Sequence, residues 1–129
     1  MAKKFTILLA EDNKDHQKLV SLFLEKTGID LQIAKDGQEL LKKLKKDTNY
    51  NLLLLDIQLP KIDGYTAAKI IRKDKKNKDL IIIGLSAFAM CGDKEKAITK
   101  GMNDYLTKPI DRVTLLNTIN KYLKRKEET

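Results

Sequence analysis

Four consecutive leucines, Leu52-Leu53-Leu54-Leu55, run directly into Asp56, and Pro60 follows closely. A run with no polar alternation wants burial on both of its faces. At this length that describes a strand in the middle of a parallel sheet covered by helices on either side. Pro60 blocks continuation of such a strand. In open α/β sheets ligands sit at the carboxyl ends of the strands, which places Asp56 where chemistry can occur. Taken alone, a strand-end aspartate is as well explained by a turn or a helix cap.

Apolar runs and helical patterns alternate about five times along the chain. Strands are expected over 5–10, 31–34, 52–55, 80–85 and 104–107. Asn13 reads as the N-cap of a first helix that turns Leu19, Val20, Leu22 and Phe23 inward and stops at Gly28. Asp36-Gly37-Gln38-Glu39 has capping-box spacing ahead of Leu40, Leu41 and Leu44, which share one face. A third helix is expected from near Gly64, burying Tyr65, Ala68 and Ile71 before a polar loop over 75–79. A fourth spans about 91–100 and closes at Gly101. Asp111 can cap a fifth, which presents Val113, Leu116, Ile119, Tyr122 and Leu123. Strand–helix alternation with right-handed crossovers gives an α/β fold with a doubly wound parallel sheet. The expected organisation is a single domain over 1–129, with a core at about 5–123 and a charged tail at 124–129.

Composition narrows the function classes. A chain of 129 residues, 42% hydrophobic and 34% charged, can bury a core without staples. Cys91 is the single cysteine, which rules out an internal disulfide and fits a reducing cytoplasm. No apolar run approaches a membrane span, and no signal-peptide core follows the N-terminus. The net charge of +8 could serve nucleic acid, but the lysines are spread over several helices and aromatics are only 5%, too few for a base-stacking platform. Solvated helix faces account for them, so no specific nucleic-acid partner is expected. His16, the only histidine, reads as an exposed residue of the first helix with no second histidine or cysteine cluster to make a zinc site.

The strand ends tell more. The first strand ends in Glu11-Asp12, the third in Asp56, the fourth in Ser86 and the fifth near Lys108. In a doubly wound sheet these share one edge, so three carboxylates, a hydroxyl and an ammonium can converge. Crowded carboxylates repel, and one is pushed up in pKa unless a cation intervenes. Such hard oxygen ligands suit Mg²⁺, with Mn²⁺ as a substitute. With Lys108 and one divalent cation, the formal charge of the cluster closes to neutrality.

In these residues the chain resembles, over essentially its whole length, the receiver domain of two-component response regulators. The resemblance rests on Glu11-Asp12, on Asp56 with Pro60 and Gly64, on Ser86-Ala87, and on Tyr105 with Lys108-Pro109. It implies a flavodoxin-like five-stranded sheet in the order 2-1-3-4-5 with five helices. It also implies roles. Asp56 is the phosphoacceptor for a phosphoryl group from the phosphohistidine of a histidine kinase or histidine phosphotransfer protein. Asp12 and Asp56 ligate the metal directly, Glu11 through water, and the backbone carbonyl of Gln58 completes the protein's share. Lys108 and Ser86 meet the phosphoryl group, and Ser86 and Tyr105 form the switch. The output is altered binding of a downstream protein through the face of the fourth helix, fifth strand and fifth helix. Gln58 and Phe88 occupy positions that tune dephosphorylation, and Lys108-Pro109 is often a cis peptide in this family.

Rival classes fare worse. A flavin or nucleotide domain wants a glycine- or hydroxyl-rich loop after the first strand, where this chain has Glu11-Asp12. An aspartyl-nucleophile phosphatase resembling the haloacid dehalogenases wants an acid two residues after the nucleophile, and Gln58 cannot transfer that proton. The chain is therefore expected to act on no external substrate, at most catalysing its own phosphorylation and dephosphorylation. A degenerate receiver acting as a plain interaction module would lack part of the set. The starting methionine fits a stand-alone regulator. The stretches Ser86-Ala87-Phe88-Ala89-Met90 and Gly101-Met102-Asn103-Asp104-Tyr105 look like receivers of hybrid histidine kinases, and both readings stay open.

Overall fold

The computed structural model describes residues 5–47, 49–87 and 93–127. In chain order the elements are β1 (Thr6–Ala10), α1 (Lys14–Phe23), β2 (Asp30–Ala34), α2 (Gly37–Lys46), β3 (Leu52–Asp56), α3 (Gly64–Lys73), a short 3₁₀ turn (Lys75–Asn77), β4 (Ile81–Ser86), α4 (Asp93–Thr99), β5 (Asp104–Thr107) and α5 (Arg112–Glu127). The strands form one parallel sheet in the order β2-β1-β3-β4-β5.

The leucine run explains the layering. Leu53 and Leu55 point to one face, into a core closed by Leu40 and Leu44 of α2, Ala67, Ala68 and Ile71 of α3, and Ala97 of α4. Leu52 and Leu54 point to the other, against Val20 of α1 and Leu115, Ile119, Tyr122 and Leu123 of α5. All four leucines are fully buried. Each contributes roughly 2 kcal/mol of apolar transfer, so β3 anchors both layers.

Four helices start on side-chain caps. Asn13 Oδ1 accepts from the amides of Asp15 and His16. Asp36 Oδ1 accepts from Glu39 N at 2.8 Å, while Glu39 reaches back to the amide of Lys35 rather than that of Asp36. Asp63 and Asp111 accept from the amides of Thr66 and Thr114. The acid at 63 is the cap of α3.

Several sequence expectations need correction. On α1, Val20 and Leu24 are buried, but Leu22 is 57% exposed and Leu19 also faces outward. Val20 and Leu24 lie on the stripe that reaches the sheet, and Phe23 packs part-buried against the same core as expected. On α5 the stripe is Leu115, Ile119, Tyr122 and Leu123, and Val113, one-off from it, is 60% exposed. Gly28 does not stop α1: the helix ends at Phe23 with Leu24 as its C-cap. Gly28, at φ +80°, belongs to the loop into β2. The α5 backbone runs from Arg112 to Glu127. The expected start of the fourth helix at Cys91, and Phe88, lie outside the described residues. Gly101, at φ +101°, does follow α4. Among the described residues no helix is long and apolar enough to cross a membrane.

Candidate functional site

β1 hands its last pairing to Glu11, whose amide still donates to Ala34 O at 3.0 Å. This keeps Glu11 in the sheet edge and buries its side chain. Its Oε2 accepts from Asn13 N at 3.1 Å, and Gln17 Nε2 of α1 donates to its backbone carbonyl at 2.7 Å. Asp12, next along, is exposed. Asp56, at the end of the neighbouring β3, is buried, and its Oδ1 accepts from Gln58 N at 3.0 Å. That contact sets the Gln58 backbone against the carboxylate, while the Gln58 residue itself is exposed.

The loop after β3 folds back tightly because Gly64 has no side chain. Gly64 N donates to Ile57 O at 2.8 Å. A Cβ on Gly64 would stand 2.6 Å from Asp56 O, closer than packed atoms tolerate. Ser86, buried at the end of β4, pairs in register with Thr107. Its carbonyl accepts the amide of Lys108 at 2.6 Å. The Lys108–Pro109 peptide is cis. Tyr105 is half-buried on β5 opposite Gly84 and packs against the core beneath α3 and α4.

These placements bring Glu11, Asp12, Asp56 and Lys108 together. One oxygen from each carboxylate lies within 4.8 Å of the others. Lys108 Nζ donates to Glu11 Oε1 at 2.7 Å and to Asp56 Oδ2 at 3.0 Å. Burial pushes the Glu11 carboxyl above its ordinary 4.5, and the nearby Asp56 charge adds to this against the opposing hydrogen bonds from Lys108 and Asn13. Burial pulls the Lys108 ammonium down, but its hydrogen bonds to Glu11 and Asp56 outweigh that and hold it above 10.5. Three carboxylates against one ammonium leave a site of hard oxygen donors with excess negative charge. That donor chemistry fits a divalent cation of the magnesium type.

The sequence reading missed His16. Its Nδ1 stands 3.3 Å from Glu11 Oε1 and 3.2 Å from Lys108 Nζ, on the rim of the acidic cluster. The signal was available. His16 is the third residue of a helix beginning just after Glu11-Asp12, and helical side chains lean toward the N-terminus.

Residues 7–120 match the family model of the response regulator receiver domain. The chain belongs to the response regulator receiver domain family. This receiver is 42% identical over 120 residues to Hybrid signal transduction histidine kinase I of Dictyostelium discoideum, covering 88% of the chain and 7% of that protein. It is 37% identical over 122 residues to the DNA-binding dual master transcriptional regulator RpaA of Synechocystis, covering 92% of the chain and 49% of that protein. The receiver thus spans about half or far less of these relatives. Among solved structures it superposes with TM-score 0.85, at 33% identity, on the receiver domain of a Pseudomonas aeruginosa sensor histidine kinase with a magnesium ion coordinated in its active site cleft, covering 95% and 99% of the two chains. It superposes with TM-score 0.86, at 35% identity, on a Saccharomyces cerevisiae response-regulator receiver co-crystallised with a histidine phosphotransfer protein, covering 95% and 90%.

Proposed function

We propose that this receiver accepts a phosphoryl group on Asp56 from a phosphohistidine of a histidine kinase or histidine phosphotransfer protein. The observation that carries the reading is the meeting of a buried strand-end aspartate with Lys108 Nζ at 3.0 Å and with two further carboxylates at one sheet edge.

A carboxylate oxygen of Asp56 attacks phosphorus in line as the P–N bond breaks, the donor ring, protonated on its other nitrogen, leaving as a neutral imidazole and Asp56 remaining as an acyl phosphate. Such transfer depends on positioning and charge neutralisation more than on covalent help. Gln58 N fixes one end of the Asp56 carboxylate. Lys108 turns from that carboxylate to the new phosphoryl oxygens, and the Ser86 hydroxyl donates to them. Asp12, Asp56, the Gln58 carbonyl and Glu11 would hold a Mg²⁺, which would neutralise the phosphoryl charge. The acyl phosphate later yields to water and releases inorganic phosphate. The receiver therefore acts on itself and is not an enzyme for external substrates.

New charge-assisted contacts at Ser86 and Lys108 bias Tyr105 and the α4–β5–α5 face, which binds the downstream protein differently in the two states. The histidine kinases among its relatives favour a second reading, a receiver unit of a hybrid kinase with the same Asp56 chemistry.

The test is intact mass after incubation with Mg²⁺ and acetyl phosphate, beside Asp56→Asn. One phosphate adduct requiring both Mg²⁺ and Asp56 is expected. No adduct in wild type with either acetyl phosphate or a phosphohistidine donor would leave only the plain interaction module.

A further inference from the structure

We propose that His16 is a positioning residue for Lys108, its Nδ1 taking the third hydrogen of an ammonium whose other two go to Glu11 and Asp56. The functional part of this inference rests on Asp56 being the phosphoacceptor.

A lysine ammonium carries three donors and no acceptor. Lys108 Nζ has three neighbours to receive them: Glu11 Oε1 at 2.7 Å, Asp56 Oδ2 at 3.0 Å and His16 Nδ1 at 3.2 Å. The tautomer follows from the partner. Nδ1 has Lys108 Nζ at 3.2 Å and Glu11 Oε1 at 3.3 Å as neighbours, and the assignment gives its lone pair to the ammonium, the shorter of the two contacts. Glu11 Oε1 and His16 Nδ1 then share the ammonium between them, which accounts for their 3.3 Å approach.

The ring is held there by the way α1 begins. The amide of His16 is fixed by the Asn13 cap at 3.1 Å, and Gln17 ties the same turn to the Glu11 carbonyl at 2.7 Å. Leu19, three residues on, lies on the same helix face. Together with Val20, Pro109 and Ile110, these side chains line a recess of about 70 Å³ beside Glu11 and Lys108. Its mostly apolar wall limits competition from water on that side of the ammonium.

This arrangement has a mechanical consequence. When the Asp56 carboxylate becomes an acyl phosphate, one hydrogen of Lys108 must pass to a phosphoryl oxygen. Glu11 and His16 keep the other two, so the ammonium pivots about fixed contacts instead of searching from solvent. His16 touches neither phosphorus nor the attacking oxygen, and it acts through Lys108.

The experiment compares His16→Leu, which removes the acceptor, with His16→Asn, whose Oδ1 stands about as far from the backbone as Nδ1 does and still accepts. The first readout is the ¹⁵N-detected ammonium resonance of Lys108 in the unphosphorylated protein. Its protection from hydrogen exchange is expected to be lost in the leucine variant and retained in the asparagine variant. The second is the rate of phosphoryl uptake from acetyl phosphate at saturating Mg²⁺, with Mg²⁺ affinity measured separately by calorimetry. Leucine should slow uptake about three- to tenfold, the net worth of an ordinary hydrogen bond. Mg²⁺ affinity and thermal midpoint should stay at wild-type values, and asparagine should restore the rate. A leucine variant with wild-type Lys108 protection and wild-type uptake overturns the inference, and so does an asparagine variant indistinguishable from leucine. Wild-type protein that shows the resonance pattern yet takes up no phosphate supports the contact while sinking the phosphoacceptor reading, so the two failures are distinct.

Discussion

Lys108 Nζ and Asp56 Oδ2 meet at 3.0 Å across 52 positions of sequence. The same nitrogen reaches Glu11 at 2.7 Å, so one ammonium bridges the two buried carboxylates of the sheet edge. It offsets one of three negative charges and leaves the cluster short of neutral. Lysine and a divalent cation would therefore add their charges at this site while repelling each other. That tension makes their effects separable.

Lys108→Ala should tighten Mg²⁺ binding by about tenfold or more, because it removes a positive charge close to the site. Phosphoryl uptake from acetyl phosphate should fall about tenfold or more, since a preorganised donor to the developing charge is gone. Calorimetric titration and intact mass read the two effects separately. Weaker metal binding with normal uptake would reverse the assignment and make Lys108 a scaffold for the carboxylates.

Asp56→Asn should fold normally and take no phosphate. It should also lower the Glu11 carboxyl toward its ordinary 4.5, because the Asp56 charge and hydrogen bond are among the causes that raise it. Carboxyl ¹³C shifts followed against pH check this. Acid-labile, base-stable phosphate persisting on the variant would place phosphorylation elsewhere.

The sheet was legible because a run of four leucines has one comfortable environment, and the strand-end acids were legible because the topology gathers strand ends. Which helix residues face inward was not. α1 carries more apolar side chains than it buries, and which of them face inward depends on how the helix lies on the sheet. Long-range polar ties were equally hidden. Arg72 of α3 donates to Gly101 O, Asn77 O and Asn103 Oδ1, and Asn103 Oδ1 also accepts the amide of Ile82. No local pattern announces a guanidinium that ties the turn before β4 to the loop before β5. His16 went unread for a related reason: as the only histidine it was judged against zinc chemistry, whereas its relevant neighbours are an acid and a lysine.

Gly64→Ala should cost about 1–3 kcal/mol and also slow phosphorylation. The new methyl meets the Asp56 carbonyl and the Ile57 Cα at 2.6 and 2.7 Å, backbone atoms that cannot rotate away. Relief requires the β3–α3 loop to move, and with it the Gln58 amide that fixes Asp56 Oδ1. Chemical denaturation gives the first effect and acetyl phosphate kinetics the second. A stability loss with unchanged phosphorylation would show that the loop yields away from Asp56.

The pH dependence of stability should have two opposing arms. Asp36, Asp63 and Asp111 cap helices, and the amide hydrogen bonds they accept hold their carboxyls below 3.8. Their contribution is present above 3.8 and lost as pH falls through the lower folded values. Glu11 runs the other way. Its folded pKa lies above 4.5, so the folded state binds the extra proton, and stability declines as pH rises from 4.5 through that folded value. Mg²⁺ needs the ionised cluster, so it should offset this second arm and act little in acid. At ten times its dissociation constant it should add about 1.4 kcal/mol near neutral pH. Thermal midpoints measured with and without Mg²⁺ between about pH 4 and pH 8 test both arms. The increment should grow as Glu11 ionises, and in Glu11→Gln the decline through that window should disappear. A constant increment across the range would mean that Glu11 takes no part in holding the metal.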